Sequence, residues 1–579
     1  MPRKPGNNSL PAHEVPAPKP SPGTDSTERG GLWRELFGID LRSVALFRIG
    51  LALTLLADLF MRSVDVEAFY TDRGILPRNM VETQWNGASY FTFHTLADSP
   101  AAVGFLFGVN AVFAVLLLAG LRTRLVSVIC WVFLISLQSR NGLILQGGDI
   151  VIRCLAFWAM FLPLGDYLSL DARKRTYPRL PGDDPARPVR AYSWGTAAII
   201  IQTASIYWFT ALLKNDPSWW QNGYAIYLAL NIDLLTKPLG RFLADVPFVA
   251  YILTFATIYI EAFGPFFAFF PLRNGPWRTA TVFFFWFFHL VALQSMMYLG
   301  PFPFSCALAW TVFLPAWFWD RLVPWWKRGA SGDIRVRLTQ WASAYLPARG
   351  VPVQDAPDRR PIRLGLPLPV NLLAAFYFFV MCIWNYRTVN FGALIRYFPS
   401  SLNRIAEIPH VDQCWDMFSP RPMTDDGWFV ISGTLRDGSR VDLMPWLADY
   451  GVAPPLTWEK PAEVGVQFRD ERWRKYFLNL WGAGNRRYRV HLARYIDYAW
   501  NRDHSGGREL ISFEMFYMRE NTPAQYAPIP PPEPILLWSH WCFPEFAPKK
   551  PNPDLSSISR VGKGARVGKG ARDKQTGGK

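Results

Sequence analysis

The sequence predicts a mainly α-helical, polytopic membrane bundle of eight or nine transmembrane helices, followed by a smaller α+β domain. Half of the 579 residues are hydrophobic and only 18% are charged, against about 25% charged residues in an ordinary soluble domain. The shortage of charged residues is concentrated in apolar runs near the length, roughly 17–25 residues, that an α-helix needs to cross a bilayer. After Tyr386 the composition changes abruptly to a more charged sequence without long apolar runs.

Nine apolar runs share this character. They lie at about 43–61, 101–119, 125–138, 150–164, 194–213, 247–270, 279–299, 303–319 and 368–384. The third, fourth and eighth runs are short, so one of them is re-entrant or enclosed in the bundle if the chain crosses eight times. The predicted regions are a disordered Pro-rich cytoplasmic tail over 1–35, a transmembrane domain over 36–320, a basic cytoplasmic loop over 321–367, the last transmembrane helix over 368–386, an exoplasmic α+β domain over 387–550, and a disordered basic tail over 551–579.

Lysines and arginines accumulate in alternate connections between the apolar runs. Six lie between residues 173 and 190, and nine between 321 and 363. With nine helices these connections share one side, which the positive-inside rule makes cytoplasmic. We therefore expect a multi-pass cell membrane protein with a cytoplasmic N-terminus and an exoplasmic C-terminal domain, periplasmic in a Gram-negative cell. The same loops and the tails account for the net charge of +16, so the lipid bilayer is an expected partner and nucleic acid is not.

The region after Tyr386 carries signals of both strand and helix. Residues 428–446 alternate apolar and polar side chains around a turn sequence, Asp437-Gly438, which is typical of a β-hairpin. Residues 487–503 place apolar side chains at helical spacing and predict an amphipathic helix. The mixture predicts an α+β domain.

Cysteine and histidine usage limits the covalent and metal chemistry. Of six cysteines, only Cys414 and Cys542 lie outside the membrane region, and they are candidates for a disulfide if their compartment is oxidising. There is no Cys-x-x-Cys pair, and His289, in an aromatic run, has no His or Cys at metal-ligand spacing. No metal site is expected.

Ionisable residues inside or beside the bilayer are costly, so each is a candidate for function or for internal pairing. They are Arg48, Asp58, Arg140, Asp149, Arg153, Lys214, Glu261 and His289. Arg140, Asp149 and Lys214 are all predicted at the outer edge, where they would form one polar pocket. The alternative is that these charges neutralise one another, as Asp149 and Arg153 would at a spacing of four residues.

Lys214 follows the uncharged run from Trp194 to Leu213. Such a lysine is either an anchor at the membrane surface or, if partly desolvated, a base. Its surroundings resemble the segment that holds the catalytic lysine in the vitamin K-dependent γ-carboxylase family, whose bacterial relatives contain horizontally transferred transmembrane (HTTM) domains. The matching positions are Tyr207, Lys214, Asp216, Trp219, Gly223-Tyr224, His289, Gln294 and Gly300, together with Arg140-Asn141 and Gly147-Gly148-Asp149.

This resemblance covers roughly residues 36–320 and implies a fold, a substrate and a set of site residues. It implies that Lys214 deprotonates a reduced vitamin K-like or menaquinol-like quinol, which then reacts with O2 to give an epoxide. The implied site residues are catalytic Lys214, His289 and Asp149, and substrate-binding Arg140, Asn141, Arg153, Trp208, Trp219, Trp220 and Tyr224. Gly147-Gly148-Asp149 replaces an Asn- and His-rich segment of the animal carboxylase, so quinol oxidation or epoxidation without carboxylation is favoured.

Two other functional classes stay open. Residues 413–431 resemble a segment found in lipase maturation factor-like membrane proteins, which implies a non-enzymatic protein that assists the maturation or transport of an exported protein partner. That alternative expects an apolar binding groove on the domain after Tyr386. A transporter is also compatible with the buried charges, although the chain shows no pair of interrupted helices in corresponding halves.

Overall fold

The computed structural model describes residues 32–85, 90–174, 190–322, 366–389 and 403–547. Residues 1–31 of the predicted N-terminal tail lie outside these ranges. So do the whole predicted C-terminal tail and most of the predicted basic loop.

The membrane domain contains nine principal helices in the described ranges. They are α1 (Leu41–Ser63), α2 (Pro100–Ala119), α3 (Thr123–Arg140), α4 (Gly147–Ala159), α5 (Trp194–Leu213), α6 (Pro247–Phe263), α7 (Asn274–Phe287), α8 (Phe302–Trp310) and α9 (Leu368–Thr388). α6 continues through a 3-10 segment to Phe269, and α7 continues through a π-helical segment to Met296. Each of the nine predicted apolar runs therefore contributes a helix.

Seven of these helices are long and apolar enough to cross a membrane, and α4 and α8 are shorter. α4 has 13 residues, about 20 Å at the helical rise, against a hydrocarbon core of about 30 Å. It is almost wholly buried between its neighbours. Shorter helices connect the long ones and cover their ends. They are Val66–Tyr70, Pro217–Trp220, Ala225–Leu230, Pro238–Ala244 and Asn403–Glu407.

The turns that follow α4 and α8 extend both segments to the end of the bundle where α1 and α3 begin. After α4, the Asp171 carboxylate accepts from the backbone N–H of Thr123 at 2.8 Å, at the start of α3. After α8, the carbonyl of Leu314 accepts from Ser43 Oγ at 2.6 Å, near the start of α1. A two-stranded ribbon, β1 (Ile39–Asp40) with β2 (Arg190–Ala191), closes this end. We call it the far end, because the C-terminal domain packs on the opposite end.

The C-terminal domain, residues 403–547, is built on a four-stranded antiparallel sheet of order β4-β3-β5-β6. Its strands are β3 (Asp425–Leu435), β4 (Arg440–Asp442), β5 (Leu510–Asn521) and β6 (Glu533–Trp541), and its helices are α10 (Leu443–Asp449), α11 (Glu471–Trp481) and α12 (Arg489–Asp503). β3 and β4 form the predicted hairpin, with Thr434 opposite Arg440. α12 is the predicted amphipathic helix. The α+β expectation for this region is therefore confirmed.

The C-terminal domain packs directly on the bundle. One hydrophobic cluster contains Phe69 and Ile144 of the membrane domain together with Phe429, Trp473 and Tyr476 of the C-terminal domain. The rings of Phe69 and Trp473 lie 4.8 Å apart. The apolar face of the amphipathic helix α11 is thereby buried against the bundle. This packing places charged residues of α11 beside the ends of the membrane helices.

Candidate functional site

A cavity of about 720 Å³ lies at the junction between the bundle and the C-terminal domain. Its volume is within the range of small-molecule sites, roughly 300–1,000 Å³. The membrane helices contribute Tyr207, Thr210, Lys214, Glu261, Phe288, His289 and Phe302 to its lining, and the C-terminal domain contributes residues 414–419, Arg421, Met423, Glu471, Arg474, Lys475 and Leu478. We call this space the junction cavity. It is apolar and aromatic on one side and charged on the other.

Lys214 is buried on the wall of the junction cavity, with only 1% of its surface exposed. Its ammonium group donates to both carboxylate oxygens of Glu261, at 2.8 and 2.6 Å. Glu261 belongs to α6 and had no local partner in the sequence. Burial lowers the pKa of Lys214, which stands one residue beyond α5, and the carboxylate of Glu261 opposes that shift. The lysine is therefore not a lipid-facing anchor.

The chain after Lys214 turns back to cover it. The Asp216 carboxylate accepts from the N–H of Ser218 at 2.9 Å and so caps the short helix Pro217–Trp220. This turn places the ring centroid of Trp219 at 5.0 Å from Lys214 Nζ, a cation–π distance. Trp219 Nε1 donates to the carbonyl of Phe418 at 3.2 Å, which ties the lysine wall to the C-terminal domain.

His289 also lines the junction cavity, from the π-helical segment Phe288–Leu293. Its Nε2 is 2.7 Å from the hydroxyl of Tyr207, which accepts from Trp310 Nε1 at 2.7 Å. The hydroxyl also contacts the thiol of Cys306, so either His289 tautomer can complete this network. The buried Nδ1 of His289 has no hydrogen-bond partner in the described part of the chain. It is a polar atom available to a ligand, as a donor or as an acceptor according to the tautomer.

The charged side of the junction cavity is held by α11 and by the segment before β3. Arg153 of α4 donates to the carbonyl of Asp412 at 2.6 Å. Arg474 forms an ion pair with Glu471 and donates to the carbonyl of Tyr298 at 3.2 Å. Burial raises the pKa of Glu471 to about 7 and lowers the pKa of Lys475. Two of these groups therefore have pKa values displaced towards neutrality, which is a common property of functional sites.

Asp149, a predicted catalytic residue, does not line the junction cavity. It belongs to a buried group of two carboxylates and two guanidinium groups, Asp58, Arg62, Asp149 and Arg472, which we call the junction charge cluster. Asp149 Oδ1 accepts from Arg62 at 2.7 Å and from Arg472 at 2.9 Å, and its Oδ2 accepts from Arg472 at 2.5 Å. Asp58 bridges the same two arginines at 2.8 and 2.7 Å. The carboxylate is thus committed to holding α1, α4 and α11 together.

The predicted pocket of Arg140, Asp149 and Lys214 does not form. Arg140 is fully buried and donates to the carbonyls of Tyr70 and Leu76, both at 2.9 Å, so it braces the connection after α1. Lys214 pairs with Glu261 instead. The alternative pairing of Asp149 with Arg153 is not made either, because both residues find partners in the C-terminal domain. Neutralisation does occur: Asp58 and Arg62 pair four residues apart in α1, and the other pairs join segments distant in sequence.

The remaining predicted binding residues divide between the junction cavity and other places. Arg153 and Trp219 line the cavity. Asn141 donates to the carbonyl of Phe69 at 3.0 Å, beside Arg140. Three aromatic residues lie outside the cavity lining: Trp208 packs its ring on Phe266 and Phe269, Trp220 is 44% exposed and donates to the carbonyl of Lys214, and Tyr224 packs beside Tyr227 and Ala250.

The candidate disulfide between Cys414 and Cys542 is not formed, since both are free thiols. Cys414 is exposed and lines the junction cavity. Cys542 follows β6 and lies near Asp497 and His540. The two cysteines belong to different sites.

Sequence reasoning missed the contribution of the C-terminal domain to the cavity. Arg474 and Lys475 reach it from α11, and Asp412 reaches it from the segment before β3. Tertiary packing alone brings both segments to the membrane helices. Glu261 was visible as a rare acid within an apolar run, but its partner was not. Comparison with family models, with curated proteins and with solved structures gives no match for this chain. The residues of the cavity therefore carry any functional assignment.

Proposed function

We propose that this protein is a multi-pass membrane enzyme that oxidises a lipid-soluble quinol, similar to reduced vitamin K or menaquinol, with O2, and that Lys214 is its general base. The observation that carries the proposal is the Lys214–Glu261 pair, buried on the wall of a ligand-sized, aromatic cavity. A buried lysine next to a single carboxylate is an unusual arrangement within an apolar bundle, and a catalytic base is one use for it.

The pair supplies a route for the proton. Transfer of one proton from the Lys214 ammonium to the Glu261 carboxylate leaves a neutral amine, and the low polarity of the surroundings favours neutral partners over a charged pair. The amine then accepts the proton of a quinol hydroxyl, whose acidity is close to that of a phenol, with a pKa of about 10. The overall reaction balances as quinol plus O2 giving quinone epoxide plus water.

The lining of the junction cavity suits an amphiphilic aromatic ring with an apolar tail. Trp219, Phe288 and Phe302 offer aromatic faces for the ring. His289, with its unpartnered Nδ1, offers a hydrogen bond to a ring oxygen. Leu293, Met297 and Leu299 continue the lining and would contact the tail of a lipid-soluble quinol.

We also propose nine membrane crossings, with the far end cytoplasmic and the C-terminal domain exoplasmic. The two short helices support this count, because the turns that follow them reach the far end as the long helices do. Cations at the far end support the orientation: Arg42 lies in the first turn of α1, and Arg122 and Arg273 are the N-cap residues of α3 and α7. In this arrangement the Lys214 wall lies at the exoplasmic edge of the bilayer, within reach of a quinol that diffuses in the membrane.

Burial of Lys214 determines which substitutions can test its role. Lys214→Ala would leave Glu261 as an unpaired buried carboxylate, at a cost of about 3–5 kcal/mol, so its loss of activity would not separate catalysis from folding. Lys214→Arg keeps a cation opposite Glu261 but cannot deprotonate at working pH. The double substitution of Lys214→Met with Glu261→Gln removes both charges together.

The test is turnover of a reduced naphthoquinone with O2 by the purified protein, with the epoxide detected by mass spectrometry. We expect epoxide from the wild type and a loss of about 10²-fold or more in Lys214→Arg, because the arginine cannot act as a base. Lys237→Arg is the matched control. Lys237 is at the same end of the bundle, with its ammonium 4.8 Å from the ring centroid of Tyr298, but it does not line the cavity. It should retain turnover.

Two outcomes would contradict the proposal. Full turnover in Lys214→Arg would show that Lys214 is not the base. If the folded wild type gives no epoxide at every naphthoquinol concentration tested, the quinol reaction is refuted. That result would favour the non-enzymatic alternative.

A further inference from the structure

Three potential metal ligands meet on the C-terminal domain, away from the junction cavity. Asp497 lies on α12, His540 lies on β6 and Cys542 follows β6 directly. One ligand atom from each residue lies within 4.8 Å of the other two. His540 Nε2 is 3.3 Å from Asp497 Oδ2. All three residues are half-buried.

We propose that Asp497, His540 and Cys542 form a binding site for a divalent transition-metal ion of the zinc type. Zinc binds imidazole nitrogen and carboxylate oxygen at about 2.0–2.2 Å and thiolate sulfur at about 2.3 Å, so a tetrahedral site has ligand-to-ligand edges of roughly 3.3–3.8 Å. The separation of 3.3 Å between His540 and Asp497 equals such an edge, and the separations to Cys542 are no more than 4.8 Å, so a small inward movement of the thiol completes the geometry. A set of one nitrogen, one sulfur and one oxygen also suits zinc better than calcium or magnesium, which prefer oxygen alone.

The backbone arrangement explains the convergence. His540 lies on β6, and Cys542 comes directly after the strand, where its N–H still donates to the carbonyl of Ile511 of β5 at 2.8 Å. The extended pairing thus continues to Cys542, and residues two apart in extended chain point to the same face of the sheet. α12 packs against that strand and supplies Asp497 from the adjoining layer. Ligands on a helix and a strand are held more rigidly than ligands on loops.

Neighbouring groups orient the ligands. Asn501 Nδ2 donates to Asp497 Oδ1 at 2.8 Å, and Asn501 is itself held by the N–H of Leu510, which donates to its Oδ1 at 2.7 Å. This leaves Asp497 Oδ2 on the side of His540. The ring of His540 packs on Phe513 with centroids 5.3 Å apart. Such outer contacts fix the ligand geometry in metal sites. Three protein ligands leave one tetrahedral position, which water would fill.

The inference is independent of the quinol reaction, because these residues lie outside the junction cavity. The sequence did not indicate the site, since Asp497 and His540 are 43 residues apart and no ligand-spacing motif includes them. The alternative without a metal ion is an ion pair between His540 and Asp497, with Cys542 only as a neighbouring residue.

The test is metal binding by the full chain in detergent, without an affinity tag and after treatment with a chelator. We expect one tightly bound equivalent of Zn²⁺, and with Co²⁺ a charge-transfer absorption band that reports a thiolate ligand. Cys542→Ser should abolish the band, and Cys542→Ser and His540→Gln should each weaken Zn²⁺ binding at least about tenfold. Cys414→Ser and His504→Gln are the matched controls, since Cys414 lines the junction cavity and His504 stacks on Trp500.

The first result that would overturn the proposal needs only the wild type, and the others need the cysteine variants. If the wild type shows no thiolate–Co²⁺ band, or binds no more Zn²⁺ than Cys542→Ser does, the three residues are not a metal site. Loss of the band in Cys414→Ser with its retention in Cys542→Ser would also overturn it. Equal unfolding midpoints of the metal-free proteins will show that a lost site is not a lost fold.

Discussion

Arg472 should be the residue on which attachment of the C-terminal domain most depends. It is buried, with 3% of its surface exposed, and it contacts Asp58, Asp149 and the carbonyl of Ile144 at distances between 2.5 and 3.0 Å. Arg472→Met would leave two buried carboxylates opposite Arg62 alone. Removing one partner of a buried ion pair costs about 3–5 kcal/mol, because the remaining charge is neither solvated nor paired.

The structure offers a matched control for this substitution. Arg502 also joins the C-terminal domain to the membrane domain, through Glu67 at 3.1 Å, but its side chain is 46% exposed. Exposed pairs contribute about 0–1 kcal/mol, so Arg502→Met should be almost neutral. Adding Asp149→Asn to Arg472→Met removes one charge of each sign and should recover part of the loss, since Asp58 then faces Arg62 one to one.

The first assay is thermal unfolding of the detergent-solubilised chain. The second assay is the rate at which a protease releases the C-terminal domain. At roughly 2–4 °C per kcal/mol for a domain of this size, Arg472→Met should lower the midpoint by about 6–20 °C. Arg502→Met should change it by no more than about 4 °C. If the two substitutions have equal effects, or if Asp149→Asn makes the Arg472→Met protein less stable still, the junction charge cluster does not hold the domains together.

Three further predictions concern acid–base behaviour, topology and thiols. Burial raises the pKa of Asp426 to about 7, against about 3.9 when unfolded, so its contribution to stability is complete below about pH 4 and is lost as the pH rises through about 7. Unfolding measured across this window should show Asp426→Asn gaining on the wild type by about 1.4 kcal/mol per pH unit, whereas parallel curves would contradict the shift. Cysteines introduced at Ser331 and Ser439 should be labelled from the cytoplasmic and exoplasmic sides respectively, and the reverse pattern would refute the orientation. Mass mapping without reductant should find Cys414 and Cys542 as free thiols, and a peptide containing both in a disulfide would disprove their separation.

Local patterns in the sequence predicted the elements whose formation is itself local. The uncharged run before Lys214 became α5, and the alternation around Asp437-Gly438 became the β3–β4 hairpin. Apolar runs of bilayer length and period-two alternation each involve neighbouring residues only, so both patterns can be recognised without knowledge of tertiary contacts. The same reasoning identified the fourth and eighth runs as short, and they became α4 and α8, but the third run, also predicted to be short, became the membrane-length helix α3.

The partners of the buried charges could not be predicted from the sequence, because they depend on packing between distant segments. Asp149 is bound by Arg472, 323 residues further along the chain, and Arg153 by Asp412, 259 residues further. A spacing of four residues favoured a pair between Asp149 and Arg153, but the arginines and backbone oxygens of the C-terminal domain compete for both. Rare ions in apolar runs thus identified residues that need partners, without identifying the partners.

The candidate site was predicted in part for the same reason. Lys214, His289, Arg153 and Trp219 all line the junction cavity, and their roles there stay predictions. Asp149 does not line the cavity, because Arg472 of α11 binds its carboxylate. The position of Asp149 on α4 gave no indication that α11 would cover it.

The most direct test of the central claim is to locate a bound quinone on the protein. A photoreactive naphthoquinone, cross-linked to the membrane-embedded wild type, should label peptides that contain Trp219 or residues 414–419, and an excess of reduced naphthoquinone should suppress that labelling. The double substitution Lys214→Met with Glu261→Gln should weaken it, since the polar contact for the quinol hydroxyl is gone. Labelling confined to the lipid-facing helix α2, or labelling that the competitor does not reduce, would show that the junction cavity is not a quinol site.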